Sequence, residues 1–219
     1  MPRYAISDIH GCPATFRTLL HEINFSREDE LFLLGDYIDK GPDGMGVIEH
    51  IWELQAEGYK VKCLRGNHEQ MFINEVGRGE HSGVVPISRH QEVCRWMLSL
   101  DYYHETPGYI LVHAGLNFRA EDPLDATYDM LWIRYWYEET DRDWLGDRII
   151  VHGHTPEPVN SVKFGIENMQ TAQRVCIDSG CAHSYKGMGY LTALNLDTGK
   201  GAFVKFCEGS ALAEHKKSV

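Results

Sequence analysis

The chain has 219 residues, 43% of them hydrophobic and 24% charged, which is the balance of a globular domain with a substantial core. A formal charge of −11, from 21 Lys+Arg against 32 Asp+Glu, argues against the nucleic-acid backbone as the main ligand. The apolar runs are far too short for a membrane span, and the opening MPRYAISDIHG carries no leader signature, so a cytoplasmic protein without membrane partners is expected.

Strand-like and helix-period segments alternate along the first third. RYAISDI (3–9) is followed by PATFRTLLHEI (13–23), in which Phe16, Leu19, Leu20 and Ile23 recur at helical spacing. LFLLGD (31–36) precedes a helical pattern over 45–58 closed by Gly58, and YKVKCLRG (59–66) leads into NHEQMFINEVG (67–77). These are three βα units, each with a polar, glycine-containing junction at the carboxyl end of its strand. Residues 78–90 read as an irregular excursion, 91–100 as a helix, 109–115 as a strand, 122–139 as an aromatic-rich helix, and 148–154 as a strand. From 160 onward the pattern reads as strands and turns, with DTGKG (197–201) as a hairpin connection. One domain over 1–219 is expected, with a frayed tail over about 208–219. The six cysteines form no C-x-x-C pair and read as buried, reduced thiols.

Polar groups collect at the strand ends. Asp8 and His10 follow the first strand, Asp36 and Asp39 the second, and Asn67, His68 and Glu69 the third. His113 follows YILV, and His152 and His154 follow RIIV. Strand carboxyl ends in α/β architectures open on one crevice, so these residues are expected to meet. Carboxylates, imidazoles and one amide suit divalent ions such as manganese, iron or zinc, and the absence of cysteine thiolate argues against a structural zinc. Six ligands are too many for one catalytic ion with open positions but suit two ions sharing a carboxylate. Taken singly, Asp8 and Asp36 could equally cap helices, Asp39 could form a turn, and each histidine could be a hydrogen-bonded structural residue.

The motifs SDIHG, GDYIDKG, LRGNHE, LVHAG and VHGHT, in that order, resemble the phosphoprotein phosphatase branch of the calcineurin-like metallophosphoesterases. RGNHEQM, GHTP and WIR (132–134) look most like the small phage lambda-type and bacterial serine/threonine protein phosphatases. The resemblance runs from about residue 4 to about residue 205. It implies a mixed α/β (α+β) fold, a four-layer β-sandwich flanked by helices with the active site at the strand carboxyl ends.

Carried across position by position, the resemblance makes Asp8 and His10 ligands of the first metal and Asp36 the bridge. Asn67, His113 and His154 would complete the second site, and Asn67 would also face the substrate phosphate. A water or hydroxide held between the ions would attack phosphorus in line. His68, oriented by Asp39, would then protonate the leaving oxygen. Arg134 would grip the non-bridging phosphate oxygens. Two divalent ions are implied, manganese first, with iron, zinc, magnesium, cobalt or nickel as alternatives. The chain departs from the pattern at Ser7, where the family usually has glycine, and at Lys40, where it usually has arginine. Lys40 would therefore make a weaker phosphate contact. Arg65 and Glu69 read as structural supports, and His152 as a core residue or a support to a ligand.

The expected function is metal-dependent phosphomonoester hydrolysis, with phosphoserine or phosphothreonine in proteins, or a small phosphoester, as substrate and no nucleic-acid partner. The alternatives are a dinucleoside polyphosphate or other nucleotide hydrolase and an inactive metal-binding scaffold. Residues 78–90 and 118–147 would form the rim that selects among substrates.

Overall fold

The computed structural model describes residues 1–81 and 83–209. Its first unit is β1 (Arg3–Ile6), α1 (Pro13–Glu22), β2 (Glu30–Leu33), α2 (Gly44–Ala56), β3 (Lys60–Cys63) and α3 (Asn67–Gly77). Then come α4 (His90–Leu98), the hairpin β4 (Tyr103–Thr106) and β5 (Tyr109–Val112), α5 (Thr127–Trp132) and α6 (Arg142–Leu145). The chain closes with β6 (Ile149–His152), α7 (Val159–Ala172), β7 (Arg174–Cys176), β8 (Tyr190–Asn195) and β9 (Lys200–Lys205).

Two mixed sheets result, one ordered β3-β2-β1-β8-β9 and the other β4-β5-β6-β7. In the first, β1, β2 and β3 are parallel with Ile6 opposite Leu33 and Leu33 opposite Cys63; in the second, β5, β6 and β7 are parallel. Since the parallel strands stop at matching registers, their loops leave the sandwich at one level.

Period-two alternation explains the layers. Ala5, Phe32 and Leu194 face Tyr109, Leu111, Ile149 and Val151 between the sheets. Ile6, Leu31 and Leu33 point the other way, onto Phe16 and Leu19 of α1 and Val47, Ile48 and Ile51 of α2. Ile110, Val112 and Ile150 cover Met130, Trp136 and Leu145 on the far face. The order is helices, sheet, sheet, helices, as expected. No helix among the described residues is long and apolar enough to cross a membrane.

Three expectations need correction. The segment 122–139 is not one helix: α5 stops at Trp132, Ile133 is extended, and a 3₁₀ turn follows at Tyr137–Glu139. Trp136 drives the break. It is 1% exposed in the far-face core, and its Nε1 donates to Ala114 O at 3.2 Å. Tertiary burial there overrides local helix preference.

The stretch after 160 is not strands and turns throughout, because α7 occupies Val159–Ala172. Its buried Val162, Ile166 and Met169 join the core between the sheets.

The tail does not fray from 208. The Glu208 carboxylate accepts from Ala14 N, Thr15 N and Thr15 Oγ1 at 2.7–3.1 Å. The rest of the expected tail, from residue 210, lies outside the described residues.

Candidate active site

The loops after β1, β2, β5 and β6, together with the first turn of α3, meet at one end of the sandwich. Asp8 N donates to Gly35 O at 3.2 Å and His10 N to Asp36 O at 2.8 Å, which binds the first two loops together. His113 Nδ1 donates to Leu34 O at 2.8 Å, and His154 N donates to Asp8 Oδ2 at 3.0 Å. These two bonds tie the second sheet's loops to the first sheet's. Glu69 is fully buried and accepts from Asp36 N, Tyr37 N and Gly66 N, so it staples the second loop to the start of α3.

The expected residues are brought together. Asp36 Oδ2 lies 3.5 Å from His10 Nε2 and 3.9 Å from His68 Nε2, while its Oδ1 lies 3.6 Å from His113 Nε2. Asp8 Oδ1 is 3.8 Å from His10 Nε2. Asn67 Oδ1 sits 2.9 Å from His113 Nε2 and 2.8 Å from His154 Nδ1. His68 Nδ1 and Asp39 Oδ2 are 2.6 Å apart. Lys40 Nζ turns inward to His10 Nε2 at 2.7 Å. Arg134 stays exposed at the rim, with Nη1 donating to Thr155 Oγ1 at 3.3 Å.

The backbone here is held in an unusual conformation. Asp8, His10, Asp36, Asp39, Lys40 and His154 all have φ between 47° and 70°, a region that L-residues rarely occupy. Such strain gathers where surrounding contacts fix a functional geometry. Close approach is also enforced: a Cβ on Gly153 would fall 2.0 Å from Asp8 Oδ2, and one on Gly66 would fall 2.3 Å from Asp36 Oδ1.

Electrostatics divides the histidines. Burial pushes His10 down to about 3 and lowers His113. Burial, with the charges of His113 and Arg134, brings His154 to about 3. His68 goes the other way: burial opposes its charge, but the Asp39 hydrogen bond and the Asp36 carboxylate outweigh it and raise the imidazole. Asp36 is raised well above the carboxylate range by burial, then by Asp8 and Glu69. Asp8 is held low, because His113, His10 and the Ser7 hydroxyl outweigh its burial.

The donor set fits divalent ions. His10, Asp36 and His68 place ligand atoms within 4.8 Å of one another, and so do Asp36, His113 and His154. Asp36 belongs to both groups. His113 gives its Nδ1 proton to Leu34 O, so an Nε2 lone pair faces the Asn67 carbonyl oxygen, another acceptor. A cation satisfies both. Buried Asp8 Oδ1 and His154 Nε2 have no hydrogen-bond partner. Cysteines are absent from this set, as the sequence indicates.

The supporting residues fall as expected. Arg65 is buried and donates to Met97 O, Leu98 O and Tyr102 Oη. His152 is buried with Nε2 2.9 Å from Tyr137 Oη. Ser7 donates its hydroxyl to Asp8 Oδ2. One strand end escaped the sequence reading. Asp178, beyond β7, is 3% exposed and is raised well above its ordinary range by burial and then by the Asp8 charge. The signal was present in CIDSG, an apolar run ending in a carboxylate and a glycine like the other junctions.

A family model described as calcineurin-like phosphoesterase matches residues 1–183. Among curated proteins, the chain is 27% identical over 198 residues to a symmetrical bis(5′-nucleosyl)-tetraphosphatase of Nitrosospira multiformis, covering 82% of this chain and 68% of that one. A protein of the same name from Buchnera aphidicola is 39% identical over 132 residues, covering 53% and 45%. The one from Nitrosomonas europaea is 32% identical over 124 residues, also covering 53% and 45%. The chain thus spans less than half the length of these last two relatives.

Solved structures agree in fold. A presumed diadenosine tetraphosphatase superposes with a TM-score of 0.69 at 22% identity, covering 95% of both chains. A protein serine/threonine phosphatase from Saccharomyces cerevisiae superposes with a TM-score of 0.68 at 15% identity, covering 94% and 79%.

Proposed function

We propose that this chain, which belongs to the calcineurin-like phosphoesterase family, hydrolyses a dinucleoside polyphosphate at a centre built for two divalent ions. The observation that carries the reading is the sharing of Asp36 by two groups of ligand atoms. Divalent ions are the cofactor the family implies. Asp8, His10 and Asp36 would hold one, and Asp36, Asn67, His113 and His154 the other. Manganese is the leading identity, with iron, zinc, magnesium, cobalt or nickel as alternatives. When bound, such ions supply Lewis-acid charge that polarises phosphoryl oxygens and makes water a better nucleophile.

The chain's own side chains do the rest. Water attacks one central phosphorus in line, a new P–O bond forms, and the bond to the bridging oxygen breaks. His68, whose Nδ1 is held by Asp39 at 2.6 Å, delivers its Nε2 proton to that departing oxygen. Asp39 both fixes the ring and favours the imidazolium that donates. Arg134 at the rim and the Asn67 amide orient the non-bridging oxygens, and Lys40 turns from His10 to the incoming anion. Cleavage of a dinucleoside tetraphosphate at the middle of its phosphate chain leaves two nucleoside diphosphates.

For the substrate, the curated relatives support the dinucleotide over the phosphoprotein that the motifs first suggested. Likeness to protein phosphatases is carried by solved structures at 15–18% identity, which speak to fold. The motifs could not separate the two, because they form the shared phosphoester centre and not the surface around it.

Manganese-loaded protein assayed on diadenosine tetraphosphate and on a phosphopeptide panel tests the reading. A kcat/KM at least about tenfold higher on the dinucleotide, with ADP as product, is expected. Preferred turnover of phosphopeptides overturns it.

A further inference from the structure

The segment after β7 carries a second feature, beside the metal ligands but apart from them. It starts at buried Asp178. From Gly180 the chain closes a compact loop: Gly180 O accepts from His183 N at 2.8 Å and from Gly189 N at 2.9 Å, and Tyr185 O accepts from Met188 N at 3.0 Å. Phe206 N donates to Gly189 O at 2.8 Å, laying the residues after β9 along this loop.

Between them lies a cleft of about 430 Å³ whose lining includes Cys181, His183, Tyr185, Met188, Lys205 and Phe206. Its volume is within the range of small-molecule sites.

The ring chemistry of this cleft is specific. Tyr185 is 70% exposed, yet its ring is stacked on His183 with centroids 5.8 Å apart and an interplanar angle of 25°. The two rings lie near parallel, and most of the tyrosine remains open to solvent. Phe206, 43% exposed, and the Met188 thioether add apolar wall. Lys205 contributes a cation in a chain of net charge −11. Val159 N donates to Gly187 O at 2.7 Å and Glu157 N to Asp178 O at 3.0 Å, so the loop packs beside the segment that follows His154.

We infer that this cleft is a nucleobase subsite, in which a purine stacks on the exposed ring of Tyr185 and Lys205 flanks the phosphate chain running toward Arg134 and Lys40. A pre-stacked, solvent-facing aromatic ring recognises a planar π-system at little conformational cost. A phosphopeptide offers no such group by necessity. The inference rests on the dinucleotide reading and names the part of the chain that would make that substrate preferred.

Titration calorimetry of manganese-loaded protein with ADP and with pyrophosphate tests the subsite without requiring turnover. Wild type should bind ADP more tightly than pyrophosphate. Tyr185→Ala should weaken ADP binding by roughly tenfold and pyrophosphate binding by less than about twofold, and Tyr185→Phe should keep the ADP affinity. Unchanged ADP affinity in Tyr185→Ala, or equal losses for both ligands, overturns the subsite. Loss of the hydrolase reading looks different: wild type would fail to cleave the dinucleotide while the calorimetric contrast between ADP and pyrophosphate persisted.

Discussion

At the scale of single residues, the site drives its imidazoles in opposite directions. His10, His113 and His154 are pushed down by burial, which favours their lone-pair form, whereas the Asp39 hydrogen bond and the Asp36 charge raise His68 against its burial. Groups in one cleft whose acidities are driven apart are the mark of divided roles. The role of His68 predicts a dependence on the leaving group. His68→Ala should lower kcat on alkyl phosphoesters by about 10²–10⁴-fold. The loss should be much smaller when a nucleoside diphosphate departs, because that oxygen needs less help from a proton. Equal losses across a leaving-group series would remove His68 from the acid role.

Gly153 has a different function, which is to leave room. A Cβ there would fall 1.9 Å from Ser7 Oγ and 2.0 Å from Asp8 Oδ2. Gly153→Ala should therefore lower bound metal per chain, measured by elemental analysis, while far-ultraviolet circular dichroism stays native.

At the scale of elements, two carboxylates hold the frame from a distance. Glu69, in the first turn of α3, satisfies three backbone N–H groups of the site loops. Glu69→Ala leaves them buried and unpaired, at about 1–3 kcal/mol each. Relaxation and water entry will recover part of this, but a Tm loss of several degrees is expected at roughly 2–4 °C per kcal/mol, read by calorimetry.

Glu208 does the same for α1, whose N-cap, Cys12, makes no capping bond through its own side chain. Glu208→Ala should cost about 1–2 kcal/mol in denaturant unfolding, and a loss under about 0.3 kcal/mol would mean water replaces the contact.

These elements also show how far the sequence could be read. The bounds of α3 were legible because Asn67 follows a glycine junction and an apolar period runs to Gly77. The break after α5 was not, since only the far sheet draws Trp136 inward. In α7 the period Val159, Val162, Ile166, Met169 is present, but the exposed Phe164 and the glycine at 165 blur it. The tie from Glu208 to α1 spans the whole chain, and no local pattern announces it.

At the scale of the whole molecule, parallel strands in register deliver acidic and imidazole side chains to one edge of a two-sheet sandwich. This convergence was legible because strand ends and their polar residues are adjacent in the sequence. The aromatic cleft beyond the sixth strand end was not, because Tyr185 and Phe206 come from separate turns and meet only through the pairing of Gly189 with Phe206.

Crowding buried Asp8 and Asp36 together costs stability unless cations join them. Saturating manganese should therefore raise Tm, by the equivalent of about 2.7 kcal/mol at a hundredfold excess over Kd, and a chelator should reverse the gain.

The shared carboxylate of Asp36 is the centre of the account, and metal content measured on the same samples as dinucleotide turnover tests it most directly. Wild type dialysed against manganese should retain two ions per chain and full turnover, and Asp36→Asn should lose both. Two ions and undiminished turnover in Asp36→Asn would contradict it.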